Sequence, residues 1–328
     1  MQRFPVTDPS HIAAARREAA RMAATSGFDE ADLGRLAIVV TELATNTLRH
    51  GGGGELLVGV DSAPGAGLQV IALDRGPGMA NVADCFRDGY STFGTPGNGL
   101  GAVQRQAAEV LVHSVPGRGT AVLARLRRRR EPANGGERRE GIISVAKPGE
   151  VVCGDAACIR LFGDGRVGVL VADGLGHGPV AAEAGQRAVQ LFQQASSDDP
   201  GVILRILHDG LRGTRGAAVC VALIDPAKKT MQSGGIGNIS GMLIDSAGVR
   251  RMVSLAGIAG HNAGRIQTFS HDLRSRPVLV MYSDGLTSSW SPQAHAGLFH
   301  LDPVLIAAIL YRDHVRGRDD ATVVVWKG

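Results

Sequence analysis

The sequence predicts an α+β protein of two domains joined by an arginine-rich tether, and three observations predict it. The chain has 328 residues, more than one ordinary core accommodates. Residues 127–140, RRRREPANGGERRE, interrupt all hydrophobic patterning with charge, proline and glycine. The two flanks are patterned differently, since helical patterns and then alternating strands precede the tether and mostly strands follow it. Expected boundaries are a first domain over 1–126, a linker over 127–141 and a second domain over 142–328.

Composition excludes several classes of function. With 44% hydrophobic and 20% charged residues the chain can bury cores and is not mainly disordered. The net charge of +4 is accounted for by residues 125–140, which hold seven Arg and three Glu. Basic charge confined to such a stretch reads as a solvated tether, not as the folded basic face of a nucleic-acid binder. The aromatic content of 4% leaves little for base stacking. Cys85, Cys153, Cys158 and Cys220 form no CxxC or zinc spacing and read as reduced thiols. No apolar run approaches the roughly 20 residues of a membrane span. The first residues show no secretory pattern, so a cytoplasmic protein is expected, with neither nucleic acid nor membrane as partner.

The elements follow in order. Asp8-Pro9 is a cap and a first-turn proline opening a helix over 8–26, stopped by Gly27. Asp29 caps a longer helix that ends at His50-Gly51. Strands are expected over 55–61 and 68–74. A glycine-rich stretch over 75–101 then leads to a helix over 100–109. Strands over 110–115 and 120–126 pair across the turn PGRG. Beyond the tether, strands are expected over 142–146, 156–162, 167–172, 218–224, 230–233, 240–244, 278–282 and 322–326. Helices are expected over 179–194, 200–213 and 303–312, giving two sheets flanked by helices.

Three features of the first domain converge on one chemistry. Glu42, Asn46 and His50 recur every four residues, along one face of the long helix. A carboxylate and a carboxamide there suit Mg²⁺ ligation and the deprotonation of a nearby hydroxyl. Asp74-Arg75-Gly76-Pro77-Gly78 follows a strand and makes a tight turn that lets backbone approach a ligand. Gly97-Asn98-Gly99-Leu100-Gly101 opens a helix, where backbone N–H groups favour phosphate. It is neither a P-loop, since no Lys-Ser/Thr follows, nor a Rossmann turn.

In this order the three resemble the boxes of the GHKL ATPase family, in its anti-sigma-factor-type, RsbT-like serine kinase branch. The resemblance covers 1–126 and implies an N-terminal GHKL (Bergerat) ATPase α/β sandwich. It implies ATP with Mg²⁺ as cofactor. Asp74, helped by Thr120, would bind the adenine amino group, and Asn46 would hold Mg²⁺. Glu42 would orient or deprotonate the attacking protein hydroxyl. Gly76 and Gly78 belong to the first glycine box, and Gly97, Gly99, Leu100 and Gly101 would cradle phosphate. His50 reads as a pocket-wall residue, and no phosphoacceptor-histidine hairpin is present, which disfavours a two-component histidine kinase.

The second domain carries acidic residues at the ends of apolar strands: CGD ending at Asp155, ADGLGHG from 172 to 178, SDG at 283–285 and DDAT from Asp319. Carboxylates crowded at rigid strand ends repel one another unless cations lie among them. Two metal ions so held can activate water for attack on phosphorus. Isolated Asp-Gly pairs such as Asp164-Gly165 and Asp209-Gly210 read as turns.

The ordered set resembles the protein phosphatase 2C (PPM) serine/threonine phosphatases, in their SpoIIE-like, RsbX-like branch, over 142–328. The resemblance implies a PPM-type α-β-β-α sandwich and two Mn²⁺ or Mg²⁺ ions. Asp155, Asp173 and the Gly174 carbonyl would bind one ion, and Asp173, Asp284 and Asp319 the other, with Asp173 catalytic as the bridging ligand. Asp320 is the weaker ligand candidate of its pair. His177 is open to a proton-donating, structural or substrate-contacting role. Gly234-Gly235-Ile236-Gly237-Asn238 reads as a turn lining the cleft. One departure stands out: eukaryotic members place a phosphate-binding arginine near the domain start, and residues 144–150 contain none.

Together the resemblances imply a bifunctional partner-switching regulator. A serine/threonine kinase-like domain would be joined to a metal-dependent phosphoserine/phosphothreonine phosphatase. Both would act on STAS-domain proteins of the anti-anti-sigma or stressosome type. The alternative is a phosphatase alone, with the GHKL domain sensing ATP or binding a partner. The oligomeric state stays open, a homo-oligomer included.

Overall fold

A computed structural model describes residues 1–61, 67–82, 85, 99–128, 138–295 and 297–328. Gly97 and most of the expected linker lie outside them. The chain divides into two compact units, Met1–Glu137 and Arg138–Gly328.

The first unit is one antiparallel sheet with helices against it. Its elements are β1 (Gln2–Val6), α1 (Pro9–Thr25), α2 (Glu30–Arg49), β2 (Gly54–Val60), β3 (Leu68–Asp74), α3 (Gly99–Gln106), β4 (Glu109–Val115) and β5 (Gly119–Leu126). The spatial order is β1-β2-β3-β5-β4. Asp8 and Asp29 cap α1 and α2, their side chains accepting from Ser10 N and Asp32 N. Ala15, Ala19 and Ala23 of α1 meet Leu36, Val39, Val40 and Leu43 of α2 over Leu56, Val58, Val70 and Ala72 of the sheet. Small residues on α1 let the helix pair lie close, and burying α2's stripe fixes the rotation of its polar face.

β1 departs from expectation. Its sequence, QRFPV, mixes charge and proline, so it carries no clear alternation. Pairing to β2 at the sheet edge makes it a strand, and proline is tolerated there because an edge needs fewer N–H donors. The third helix stops at Gln106, earlier than expected, because Ala108 N already donates to Arg125 O and begins the β4–β5 ladder.

The second unit is two stacked five-stranded sheets. One has the order β13-β10-β9-β8-β7 and the other β12-β11-β14-β15-β6. The strands are β6 (Glu140–Val145), β7 (Asp155–Leu161), β8 (Val167–Gly174), β9 (Ala217–Asp225), β10 (Thr230–Ile236), β11 (Ser240–Asp245), β12 (Gly248–Arg251), β13 (Phe269–Asp272), β14 (Val278–Tyr282) and β15 (Ala321–Lys327). The helices α4 (Pro179–Gln194), α5 (Pro200–Gly210) and α6 (Pro303–His314) complete it. Period-two patterning sorts the layers. Val167, Val169 and Val171 of β8 face Leu279, Met281, Val324 and Trp326 of the other sheet, while Leu170 and Ala172 face α4 and α5. The result is helices, sheet, sheet, helix.

Three expectations are corrected. β6 starts at Glu140, so Glu140 and Gly141 pair with Trp326 and Val325 and are not linker. Asp209-Gly210 closes α5 and is not a β-turn, whereas Asp164-Gly165 does turn between β7 and β8. The short strands β12 and β13 are additional to those expected, because charged and polar residues dominate GVRR and FSHD and leave no apolar alternation.

Candidate functional site

In the first unit the nucleotide-type residues gather around α2. Glu42 and Asn46 are partly buried on its polar face, and His50 caps its C-terminus. The first residue of α3 arrives at that face: a Cβ on Gly99 would stand 3.1 Å from Asn46 Oδ1 and 3.3 Å from Glu42 Oε2. Gly99 thus lets the N-terminus of α3 lie against both side chains. Leu100 and Gly101 follow it, buried, in the first turn.

Asp74 ends β3 opposite Gly54. Its Oδ1 accepts from Gly76 N at 2.9 Å and from Thr120 N at 3.1 Å, so two loops orient one carboxylate. Gly78 lies in the turn next to Pro77, whose carbonyl accepts from Gly117 N at 2.8 Å. Ser114 carries no signal in the sequence. Its Oγ accepts from Met79 N at 2.7 Å and lies 2.9 Å from Thr120 Oγ1, tying the first glycine box to β4 and β5.

In the second unit the four expected aspartates stand at ends of neighbouring strands. Asp155 begins β7 and Asp173 comes next to last in β8, and the ladder pairs them directly. Asp284 lies just past β14 and Asp319 just before β15, two strands that also pair. Gly174 N donates to Gly154 O at 3.3 Å, keeping the Gly174 carbonyl beside this edge.

Several further residues hold this arrangement. Ser283 Oγ donates to Asp155 Oδ2 at 2.6 Å and accepts from Thr322 N at 3.0 Å, linking the two sheets. Asn238 Nδ2 donates to Asp284 Oδ2 at 2.8 Å, from the turn after β10 that was expected to line the cleft. Asp320 is buried, and its two oxygens accept from Lys147 N and Gly154 N at 2.8 and 2.9 Å. Its carboxylate therefore fastens the loop that delivers Asp155. His177 Nδ1 lies 2.6 Å from Glu150 Oε1 on the exposed glycine loop after Asp173. Ser283 sits inside a motif whose aspartate carries the visible signal. Glu150 carries none, because His177, which it meets, is 27 positions away.

Electrostatics mark the cluster as strained. Burial pushes the Asp173 carboxyl up to about 9, and the neighbouring charges of Asp155, Asp284 and Asp319 push the same way. Burial raises Asp155 to about 7, opposed by the Ser283 hydrogen bond and reinforced by Asp320 and Asp284. Asp284 is raised by burial and by Asp319. Among the described residues, no three His, Cys, Asp or Glu side chains already close on a common ion-holding point. An all-oxygen, mutually repelling donor set fits a hard divalent cation such as Mg²⁺ or Mn²⁺.

Comparison with known proteins agrees with this geometry. The family of the histidine kinase-like ATPase domain matches residues 6–126. The family described as Stage II sporulation protein E (SpoIIE) matches residues 163–327. Serine/threonine-protein kinase RsbT of Bacillus subtilis (strain 168) is 35% identical over 116 residues, covering 34% of this chain and 86% of that protein. Phosphoserine phosphatase RsbX of the same organism is 22% identical over 146 residues, covering 44% of this chain and 73% of that protein. Among solved structures, one of the bacterial stressosome, described as a modular system adapted to control secondary messenger signalling, superposes with a TM-score of 0.54 at 27% identity. It covers 57% of this chain and 97% of that chain. RsbX in complex with magnesium superposes with a TM-score of 0.51 at 21% identity, covering 57% of this chain and 92% of that chain, and shows the shared fold.

Fold and site together define a kinase-like ATPase domain joined to a phosphatase domain of the protein phosphatase 2C type. The chain belongs to the SpoIIE family, with an RsbT-related domain at its N-terminal end. Among the described residues, no helix is long and apolar enough to cross a membrane.

Proposed function

We propose that the chain is a cytoplasmic partner-switching regulator that both writes and erases a phosphoryl mark. Its N-terminal unit is a protein serine/threonine kinase, and its C-terminal unit a metal-dependent phosphoserine/phosphothreonine phosphatase. The substrates are STAS-domain proteins of the anti-anti-sigma or stressosome type. The observation that carries the reading is the direct pairing of Asp155 with Asp173 at the strand edge shared with Asp284 and Asp319. The likenesses to RsbT and RsbX support the two activities.

In the phosphatase, Asp155, Asp173 and the Gly174 carbonyl would hold one divalent ion, and Asp173, Asp284 and Asp319 would hold the second. Bound there, the ions supply charge neutralisation and activation of water. Ser283 aims Asp155, Asn238 aims Asp284, and Asp320 keeps the Gly154 loop in place. His177, held by Glu150, stands on the loop beside the cluster, where it can give a proton to the leaving oxygen.

In the kinase, Asp74 accepts from the adenine amine beside Thr120, its carboxylate already fixed by two backbone donors. Asn46 would hold the Mg²⁺ that accompanies ATP, and Glu42 would take the proton of the attacking hydroxyl. Gly76 and Gly78 would line the base, and Gly99, Leu100 and Gly101, at the start of α3, would offer N–H groups to the phosphates.

The test is a cycle on one substrate. The purified chain is given a STAS-domain protein with γ-labelled ATP and Mg²⁺, then Mn²⁺ after ATP is removed. Label should enter the protein and then leave it. Release of phosphate from a labelled substrate without prior transfer would leave the phosphatase alone and make the first unit an ATP-sensing or partner-binding module. Absence of metal-dependent release would sink the phosphatase.

A further inference from the structure

Resting on the phosphatase reading, we propose that Arg215 binds the substrate phosphate. It would do so from the loop between α5 and β9, since residues 144–150 hold Lys147 but no arginine. The β8–β9 ladder sets its position: Asp173 pairs with Ala218 and Gly174 with Ala217. The ladder continues into the loops, where Leu175 N donates to Gly216 O at 3.0 Å. Arg215 is the next residue back along the chain. Its guanidinium lies over the backbone of Gly176, with Nη1 3.0 Å from where a Cβ would stand. Gly176 has φ +93, in the left-handed region, so glycine is favoured there by conformation. The guanidinium therefore sits on the loop between Asp173 and His177.

The charge of this group is not spent elsewhere. Arg215 is exposed, and among the described residues no carboxylate pairs with its guanidinium. Several other arginines of the unit do have such partners: Arg166 with Asp164 and Asp198, Arg212 with Asp209, Arg250 with Asp245 and Arg312 with Asp313. Arg316 acts on Asp284, whose carboxyl it lowers against the effect of burial. The largest charge effects on Asp173 come from other carboxylates and not from Arg215. The backbone of Arg215 is anchored separately, its carbonyl 3.0 Å from His261 Nε2. A fixed backbone, an open guanidinium and an adjacent site for phosphorus chemistry suit two-point recognition of phosphoryl oxygens.

The experiment uses the full chain with Mn²⁺ and compares wild type, Arg215→Ala and Arg215→Lys. Two readouts are taken: binding of inorganic phosphate by calorimetry, and KM and kcat on a phosphoserine peptide. Loss of the charged hydrogen bonds should weaken phosphate binding and raise KM by roughly tenfold or more, with Lys recovering only part. Mn²⁺ affinity should not change. Unchanged phosphate binding and KM in Arg215→Ala overturns the proposal. So does a parallel loss of Mn²⁺ affinity, which would make Arg215 a support of the metal loop. Wild type that binds phosphate through Arg215 yet shows no metal-dependent turnover would uphold the anion site and refute the phosphatase reading instead.

Discussion

Asp155 and Asp173 face one another across the β7–β8 ladder, and Ser283 from the opposite sheet donates its hydroxyl to Asp155 at 2.6 Å. The two stacked sheets thus meet at a carboxylate edge, and the strain of that edge is what a divalent ion would relieve.

pH and metal should act together on the second unit. The folded Asp173 carboxyl is raised to about 9 from an ordinary value of 3.8. Between those values the folded state holds a proton that the unfolded chain has lost, so metal-free stability falls as pH rises. Divalent ions remove the repulsion, and protons compete with them less as pH rises. Mn²⁺ should therefore raise the melting temperature of the second unit more at pH 8 than at pH 5. Equal shifts at both pH values, measured by calorimetry, would contradict the assignment of Asp173 as a ligand.

Ser283→Ala should weaken both the fold and the metal site. The hydroxyl is buried, donates to Asp155 and accepts from Thr322 N. Its removal leaves a buried N–H unpaired and costs about 1–3 kcal/mol in urea unfolding. Because the Ser283 bond opposes the rise of Asp155, the variant should also hold its proton more tightly and bind Mn²⁺ more weakly near neutral pH. A variant as stable as wild type, with unchanged Mn²⁺ affinity, would show that Ser283 does not aim this ligand.

The motif aspartates were legible because strand ends advertise themselves: VGVLVADG and PVLVMYSDG are apolar runs that stop at a carboxylate. The sandwich was legible for the same reason, since β8, β9, β14 and β15 are nearly all apolar. Residues that act through distant partners were not. Ser283 meets Asp155 across 128 positions, and Asp320 meets Gly154 across 166. A hydroxyl or carboxylate shows no preference in sequence for a partner that only tertiary packing brings near. The edge strand β1 was hidden because an edge needs no apolar alternation to pair.

Glu42→Gln separates a kinase from a binding module. Glu42 stands one turn before Asn46 on the polar face of α2, next to the N-terminus of α3. The substitution keeps the shape and the hydrogen-bonding capacity but cannot take a proton. Phosphotransfer to a STAS-domain protein should fall by about 100-fold or more, a usual size for a lost general base. ATP affinity should change little. Loss of ATP binding together with transfer would assign Glu42 to holding nucleotide or metal.

Gly99→Ala tests the seating of α3. A Cβ on Gly99 would stand 3.1 Å from Asn46 Oδ1, 3.2 Å from its Nδ2 and 3.3 Å from Glu42 Oε2. These contacts are tight without being impossible, so the variant should fold and push the α3 N-terminus a few tenths of an ångström from α2. Gly99 opens α3, so the helix-interior advantage of alanine, about 1 kcal/mol, is at most partly gained there. The two effects act on different observables. Thermal stability of the first unit should change little, while ATP affinity should fall, because the backbone N–H groups proposed to face the phosphates move with the helix. Affinity kept at the wild-type level, with stability unchanged, would mean that nucleotide does not depend on this contact. The pocket would then have to be built from Asp74 and its loops alone.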